Sequence, residues 1–240
     1  MYDFETISVE YEFCSCVTFA NGHKSSFRKV EQIKVGKAND GYSFTMLGSS
    51  EETIDGDEPE EWNAIILQFG KALCPYTLLA TGDGELTGVQ DFEEIKGHWL
   101  DQRQEIIDYY NSYLVEKESD RFYLAFNSEE KFFNIMKNNM FPRLLFWQDN
   151  LQNQKIEIRD FPAAKRLTIF TFSGGKRDNG GIFYETYDVH DEGSGRLLSG
   201  KCTLGIRRGA DGLPEEVLLK AQIEEQDTGY FFKEITLKRL

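Results

Sequence analysis

The first residues alternate in polarity. From Ile7 onward, Ile7, Val9, Tyr11, Phe13, Val17 and Phe19 are apolar, while Ser8, Glu10, Glu12 and Thr18 stand between them. A period of two predicts a long strand with one buried face, because successive side chains leave a strand on opposite sides. Asn21–Gly22 supplies the positive φ that a tight hairpin needs. A second strand is predicted around Phe27 to Val35, "NDG" at 39–41 turns the chain again, and Tyr42, Phe44 and Met46 alternate in a third. Residues 1–50 therefore read as a three-stranded antiparallel meander.

The period then changes, and residues 58–150 read as a helical insert with one short hairpin. Pro59 suits a first helical position, where its missing N–H has no partner to lose, with Asp57 capping in front and Glu60 three residues on. Trp62, Ile65, Ile66, Phe69 and Leu73 form one apolar stripe that Pro75 ends. Residues 76–89 predict a hairpin turning at Gly82–Gly84. Asp91 with Glu94 predicts a capping box at the head of a longer helix that buries Phe92, Ile95, Trp99, Ile106, Tyr110 and Tyr113. "RFYLAF", 121–126, reads as a strand, and Asn127 with Glu130 opens a third helix carrying Phe132, Phe133, Ile135, Met136 and Met140 as far as Pro142. The dense apolar run "MFPRLLFW", 140–147, is expected to be buried against the sheet.

From Lys155 the two-residue period returns. Ile156 and Ile158, Leu167 to Phe172, Ile182 to Val189, Leu197 to Ile206, Val217 to Ile223 and Phe231 to Leu237 are divided by the turn clusters "SGGKRDNGG", "DEGSG", "GADG" and "DTG". Residues 155–240 thus predict a second meander whose strands join their immediate neighbours. The fold class expected is α+β: one large twisted antiparallel sheet of about eight to ten strands, open to curling into a half-barrel, with about three helices inserted mid-chain on one face. Residues 1–240 are read as a single domain, since a three-stranded meander alone has little to pack on.

Charge sharpens this picture. The chain of 240 residues carries a formal net charge of −14. Residues 155–240 hold 14 basic and 14 acidic side chains, so the first 154 hold the whole excess, 13 basic against 27 acidic. Such a half repels a nucleic-acid backbone and permits a basic protein partner. No segment approaches the roughly 18 consecutive apolar residues of a membrane helix. The N-terminus lacks the basic and apolar regions of a secretory signal, so no membrane insertion and a cytoplasmic location are expected. The four cysteines (Cys14, Cys16, Cys74, Cys202) are too few and too scattered for a disulfide framework.

Motifs for chemistry are sparse. There is no "GxSxG" elbow, and Ser194 in "GSG" falls in a predicted turn. "SGGK", 173–176, lacks the earlier glycine and the following Ser or Thr of a phosphate loop. Cys14 and Cys16 have one intervening residue instead of the usual two to four, with no second close Cys or His pair to complete four zinc ligands. His23, His98 and His190 are scattered, and nothing singles out a carboxylate pair for glycoside hydrolysis. Seven carboxylates within residues 51–61 offer oxygens that calcium favours but lack the twelve-residue loop pattern. No catalytic residue, metal or cofactor is assigned.

Two functional classes remain, beside an enzyme without a readable motif. The first is a non-enzymatic binding protein of the immunity or inhibitor type. It would dock a basic partner through Asp55, Asp57, Glu58, Glu60 and Glu61 with Glu93, Glu94, Asp101, Glu105 and Asp108. The second is a carrier holding a lipid or other hydrophobic small ligand in an aromatic-lined cavity between sheet and helices. Residues 51–61 also read simply as a solvated loop whose carboxylates favour the positive end of the following helix.

Overall fold

The computed structural model describes residues 6–39, 41–148, 153–178, 181–192 and 196–240. In chain order its elements are β1 (Thr6–Thr18), β2 (Lys24–Ala38), β3 (Gly41–Ile54), α1 (Glu61–Lys71), β4 (Tyr76–Thr81), β5 (Leu86–Gln90), α2 (Phe92–Tyr110), α3 (Tyr113–Phe126), α4 (Glu129–Asn138), α5 (Met140–Leu145), β6 (Gln154–Arg159), β7 (Leu167–Phe172), β8 (Gly175–Asp178), β9 (Gly181–Thr186), β10 (Val189–Glu192), β11 (Leu197–Arg208), β12 (Pro214–Glu225) and β13 (Gly229–Arg239).

The fold is α+β. Ten strands form one antiparallel sheet in the order β5-β4-β3-β2-β1-β13-β12-β11-β9-β8, and β10-β7-β6 form a second, smaller one. The large sheet does not close into a barrel, since β5 and β8 are its open edges. Its two halves are joined where β1 pairs with β13, in register from Tyr11↔Arg239 to Thr18↔Phe232. Alternation on β1 buries Val9, Tyr11 and Phe13, and the Tyr11 hydroxyl donates to the Pro214 carbonyl at 2.8 Å.

The segment 140–147 fastens the helices to that seam. Phe141 meets Tyr11 and Phe13 of β1 edge-on at 6.1 and 6.0 Å, Phe146 meets Phe44 at 4.4 Å, and Trp147 packs on Phe172 and Tyr184. Burying a large apolar side chain contributes about 1.5–3 kcal/mol. A backbone hydrogen bond nets only about 0.5–1.5 kcal/mol, so α5 is held by its side chains.

Several expectations are corrected. The described residues contain five helices, not three. Arg121–Phe126 is the last part of α3, because Val115, Ser119, Phe122 and Phe126 recur at four and three and turn one face inward; the short apolar run mimicked a strand. Tyr113 opens α3 and is 73% exposed, and Trp62 is also exposed. Asp91 does precede α2, but it adopts a left-handed φ of 53° and makes no side-chain cap; its carboxylate accepts from Gln90 Nε2 at 3.0 Å instead. The third of the expected helices is capped by Ser128, whose hydroxyl accepts from the Lys131 N–H. The second meander is interrupted, since β10 returns to β7 (Val189↔Phe170) and β9, not β10, lies beside β11. Ser194 lies outside the described residues.

The two sheets are clamped by charge. Arg166 donates to Asp191 of β10 at 2.5 Å and to Glu225 of β12, with all three side chains no more than 13% exposed. Removing one partner of a buried ionic cluster strands the others in a medium that solvates them poorly. Arg166→Met is therefore expected to cost about 3–5 kcal/mol in urea unfolding. A loss below about 1 kcal/mol, the range of an exposed pair, would contradict the clamp.

Candidate functional site: a cavity between sheet and helices

On β2 the alternation that turns Ile33 and Val35 into the core also turns Lys29 and Glu31 the same way. Glu31 is buried and paired with Lys29. The Lys29 ammonium also lies 5.9 and 6.0 Å from the ring centres of Phe13 and Phe141, where the ring faces attract a cation. A charged pair on a core-facing surface has to be enclosed without being crushed, and here it borders open space.

That space is a cavity of about 460 Å³ between β2, β3 and β4 on one side and α1, α3, α4 and α5 on the other. Its apolar wall includes Met46, Leu73, Phe122, Phe126, Met136 and Phe141. Its mouth is marked by the exposed residues Gly70, Lys71, Arg121, Ala125 and Ile135.

Two β-bulges shape the polar side. The register of β3 on β2 slips between Gln32↔Gly48 and Ile33↔Met46, and again between Arg28↔Thr53 and Val30↔Ser50. Each extra residue reverses which parity faces inward. Met46, Ser49 and Glu52 all line the cavity as a result, although a regular strand cannot place all three on one face. Gly48 (φ 135°) and Glu51 (φ 51°) supply the backbone turns. Ser49 donates to Glu52 at 2.6 Å, and Lys71 at the end of α1 reaches the other Glu52 oxygen at 2.5 Å.

The helical wall is oriented from behind. Arg103 of α2 donates to the buried Ser119 hydroxyl at 3.0 Å and to Asp120 at 2.5 Å. These contacts fix the rotation of α3 so that Phe122 and Phe126 face the cavity. Trp99 of α2 stacks on Tyr123 and meets Phe126 edge-on at 4.7 Å, and its indole N–H donates to the Phe69 carbonyl of α1 at 3.3 Å. At the deep end, burial pushes the Cys74 thiol up to about 12, helped by the Glu31 carboxylate, and burial likewise raises the Tyr76 hydroxyl well above its ordinary value. Both side chains therefore present uncharged hydrogen-bonding groups.

The predicted acidic residues are placed differently. Glu51 pairs with Arg28 at 3.2 Å, and Asp55 accepts from the Ser26 N–H at 2.5 Å. Asp55 and Gly56 both have positive φ, and Ile54 and Asp57 exchange backbone hydrogen bonds across them. The expected loop is thus a strand end followed by a tight Asp-Gly turn. Asp57 is held in that turn, so Glu60 precedes α1 and neither Asp57 nor Pro59 starts it. Asp57, Glu58, Glu60 and Glu61 are all exposed, with Pro59 half-buried among them. On α2, Glu94, Asp101, Glu105 and Asp108 are all exposed and follow each other by seven, four and three, which makes one stripe. Glu93 lies beside the stripe and is 3.9 Å from Lys96.

Cys14 and Cys16 share the outward face of β1. Among the described residues no group of three His, Cys, Asp or Glu side chains converges on a point, and no helix is long and apolar enough to cross a membrane. The cavity residues Lys29, Glu31 and Glu52 were missed by sequence reasoning. The spacing Phe27-x-Lys29-x-Glu31-x-Ile33-x-Val35 carried the signal for the first two.

Cys74 provides a pH test. Its folded value lies above the unfolded one, about 8.5, so its contribution to stability is complete below that value and falls as pH rises from about 8.5 toward 12. Cys74→Val is expected to lose less stability than the wild type between about pH 8 and 10.5, measured by urea unfolding. Identical alkaline losses would contradict the buried, protonated thiol. No protein-family model matches the chain, and no curated protein is similar to it in sequence, so the reading of this site rests on its own geometry.

Proposed function

We propose that the protein binds a small amphiphilic molecule in the cavity between β2–β4 and α1, α3, α4 and α5. The observation that carries the reading is an apolar space of about 460 Å³ with a few buried polar groups at one side. Small-molecule sites have this character, within a range of about 300–1,000 Å³. A ligand that enters removes the apolar wall from water and adds dispersion contacts with it.

A fluorescent apolar probe should bind in a one-to-one complex, and Ala125→Trp, which places a bulky ring at the mouth, should weaken it about tenfold or more. Equal probe affinity for the two proteins, with the variant folded, would count against occupation of this cavity.

A second reading concerns the stripe on α2. Glu94, Asp101, Glu105 and Asp108 form a line of negative charge that suits a basic protein surface. Retention of a basic partner on the immobilised protein should weaken steeply between about 0.05 and 0.5 M salt, and reversing two of the four charges should slow association. A salt-insensitive affinity would remove electrostatic docking as the explanation.

A further inference from the structure

The polar lining of the cavity is already neutral pair by pair. Going from the deep end to the mouth, Lys29 faces Glu31, Lys71 faces Glu52 at 2.5 Å, and Arg121 faces Glu118 at 2.8 Å. These three cations and three carboxylates come from β2, β3, α1 and α3, and all six side chains border the same space. We infer that the molecule bound there carries an uncharged polar head, such as a hydroxyl or an amide, on an apolar body; this rests on the binding role proposed above.

The reason is the cost of stranding a partner. An anionic head has to draw Lys29 or Lys71 away from its carboxylate, and the side chains of Glu31 and Glu52 are only 10% and 7% exposed. Water cannot replace the lost cation there, and an uncompensated buried charge is strongly unfavourable. A cationic head strands the lysine instead, and Lys29 has the further hold of the Phe13 and Phe141 rings. A hydroxyl or amide displaces nothing. It needs only neutral hydrogen-bonding neighbours, which Ser49 and Tyr76 provide on the cavity wall, while the ligand's apolar body lies along Phe122, Phe126 and Met136. Specificity arises here by penalising charged competitors, not by an added attraction.

The test compares four ligands that share one straight ten-carbon chain and differ in the head: 1-decanol, decanamide, decanoate and decylammonium. Each displaces a fluorescent apolar probe from the 240-residue protein at about pH 8. The alcohol and the amide are expected to bind at least about tenfold tighter than either ion. Glu31→Gln, which frees Lys29, should erase that preference by raising decanoate affinity about tenfold or more relative to decanol. Glu52→Gln, which frees Lys71 nearer the mouth, provides the same switch if the first variant does not fold. Decanoate or decylammonium binding the wild type as tightly as decanol would overturn the uncharged head and leave the binding role standing, as would unchanged preferences in the folded variants. Failure of the probe and all four ligands to bind would overturn the binding role itself.

Discussion

A strand allows its side chains only two directions, and on β2 that constraint commits Lys29 and Glu31 to the side on which Ile33 and Val35 build the core. A core position filled by charge has few stable solutions. The pair has to find each other, and the groups above it must avoid pressing apolar atoms onto an ammonium and a carboxylate. Here the pair forms, Phe13 and Phe141 face the ammonium, and the helices stand off to leave a cavity. The bulges of β3 extend the same solution by bringing Ser49 and Glu52 to the same space, with Lys71 supplied by α1.

Such a cavity survives because stability is secured elsewhere. The seam between β1 and β13 joins the first strand to the last and is buttressed by Tyr11 and the aromatic residues of 140–147. The Arg166 cluster ties the small sheet to β12 on the other half of the molecule. The helices around the cavity are aligned by a few specific contacts, among them Arg103 with Ser119 and Trp99 with the Phe69 carbonyl. A ligand that fills the cavity stabilises the fold by mass action.

Much of this architecture is legible along the chain. Two-residue alternation located β1, β2, the start of β3 and the long C-terminal strands, and "NG" at Asn21–Gly22 marked the first hairpin. What stayed hidden was of two kinds. Local signals competed: Asp55–Gly56 is a turn signal inside a run of acids, and the run obscured it; Arg121–Phe126 is too short for its period to be read apart from Val115 and Ser119. Other features have no local signal, such as the return of β10 to β7 or the bulges that bring Glu52 inward. The acidic residues illustrate both. Along residues 51–61, Glu51, Glu52 and Asp55 are taken up by Arg28, Lys71 and Ser26, while Asp57, Glu58, Glu60 and Glu61 stay exposed. The stripe on α2 was readable from spacing alone.

The most direct measurement of the central claim uses the four methionines of the chain, of which Met46 and Met136 line the cavity. With the methionine methyl groups labelled with carbon-13, titration with decanol followed by NMR should shift the Met46 and Met136 resonances together and saturably, and by more than that of Met140, which does not line the cavity. Shifts that are absent at saturation, or that appear equally at Met46, Met136 and Met140, would contradict the account.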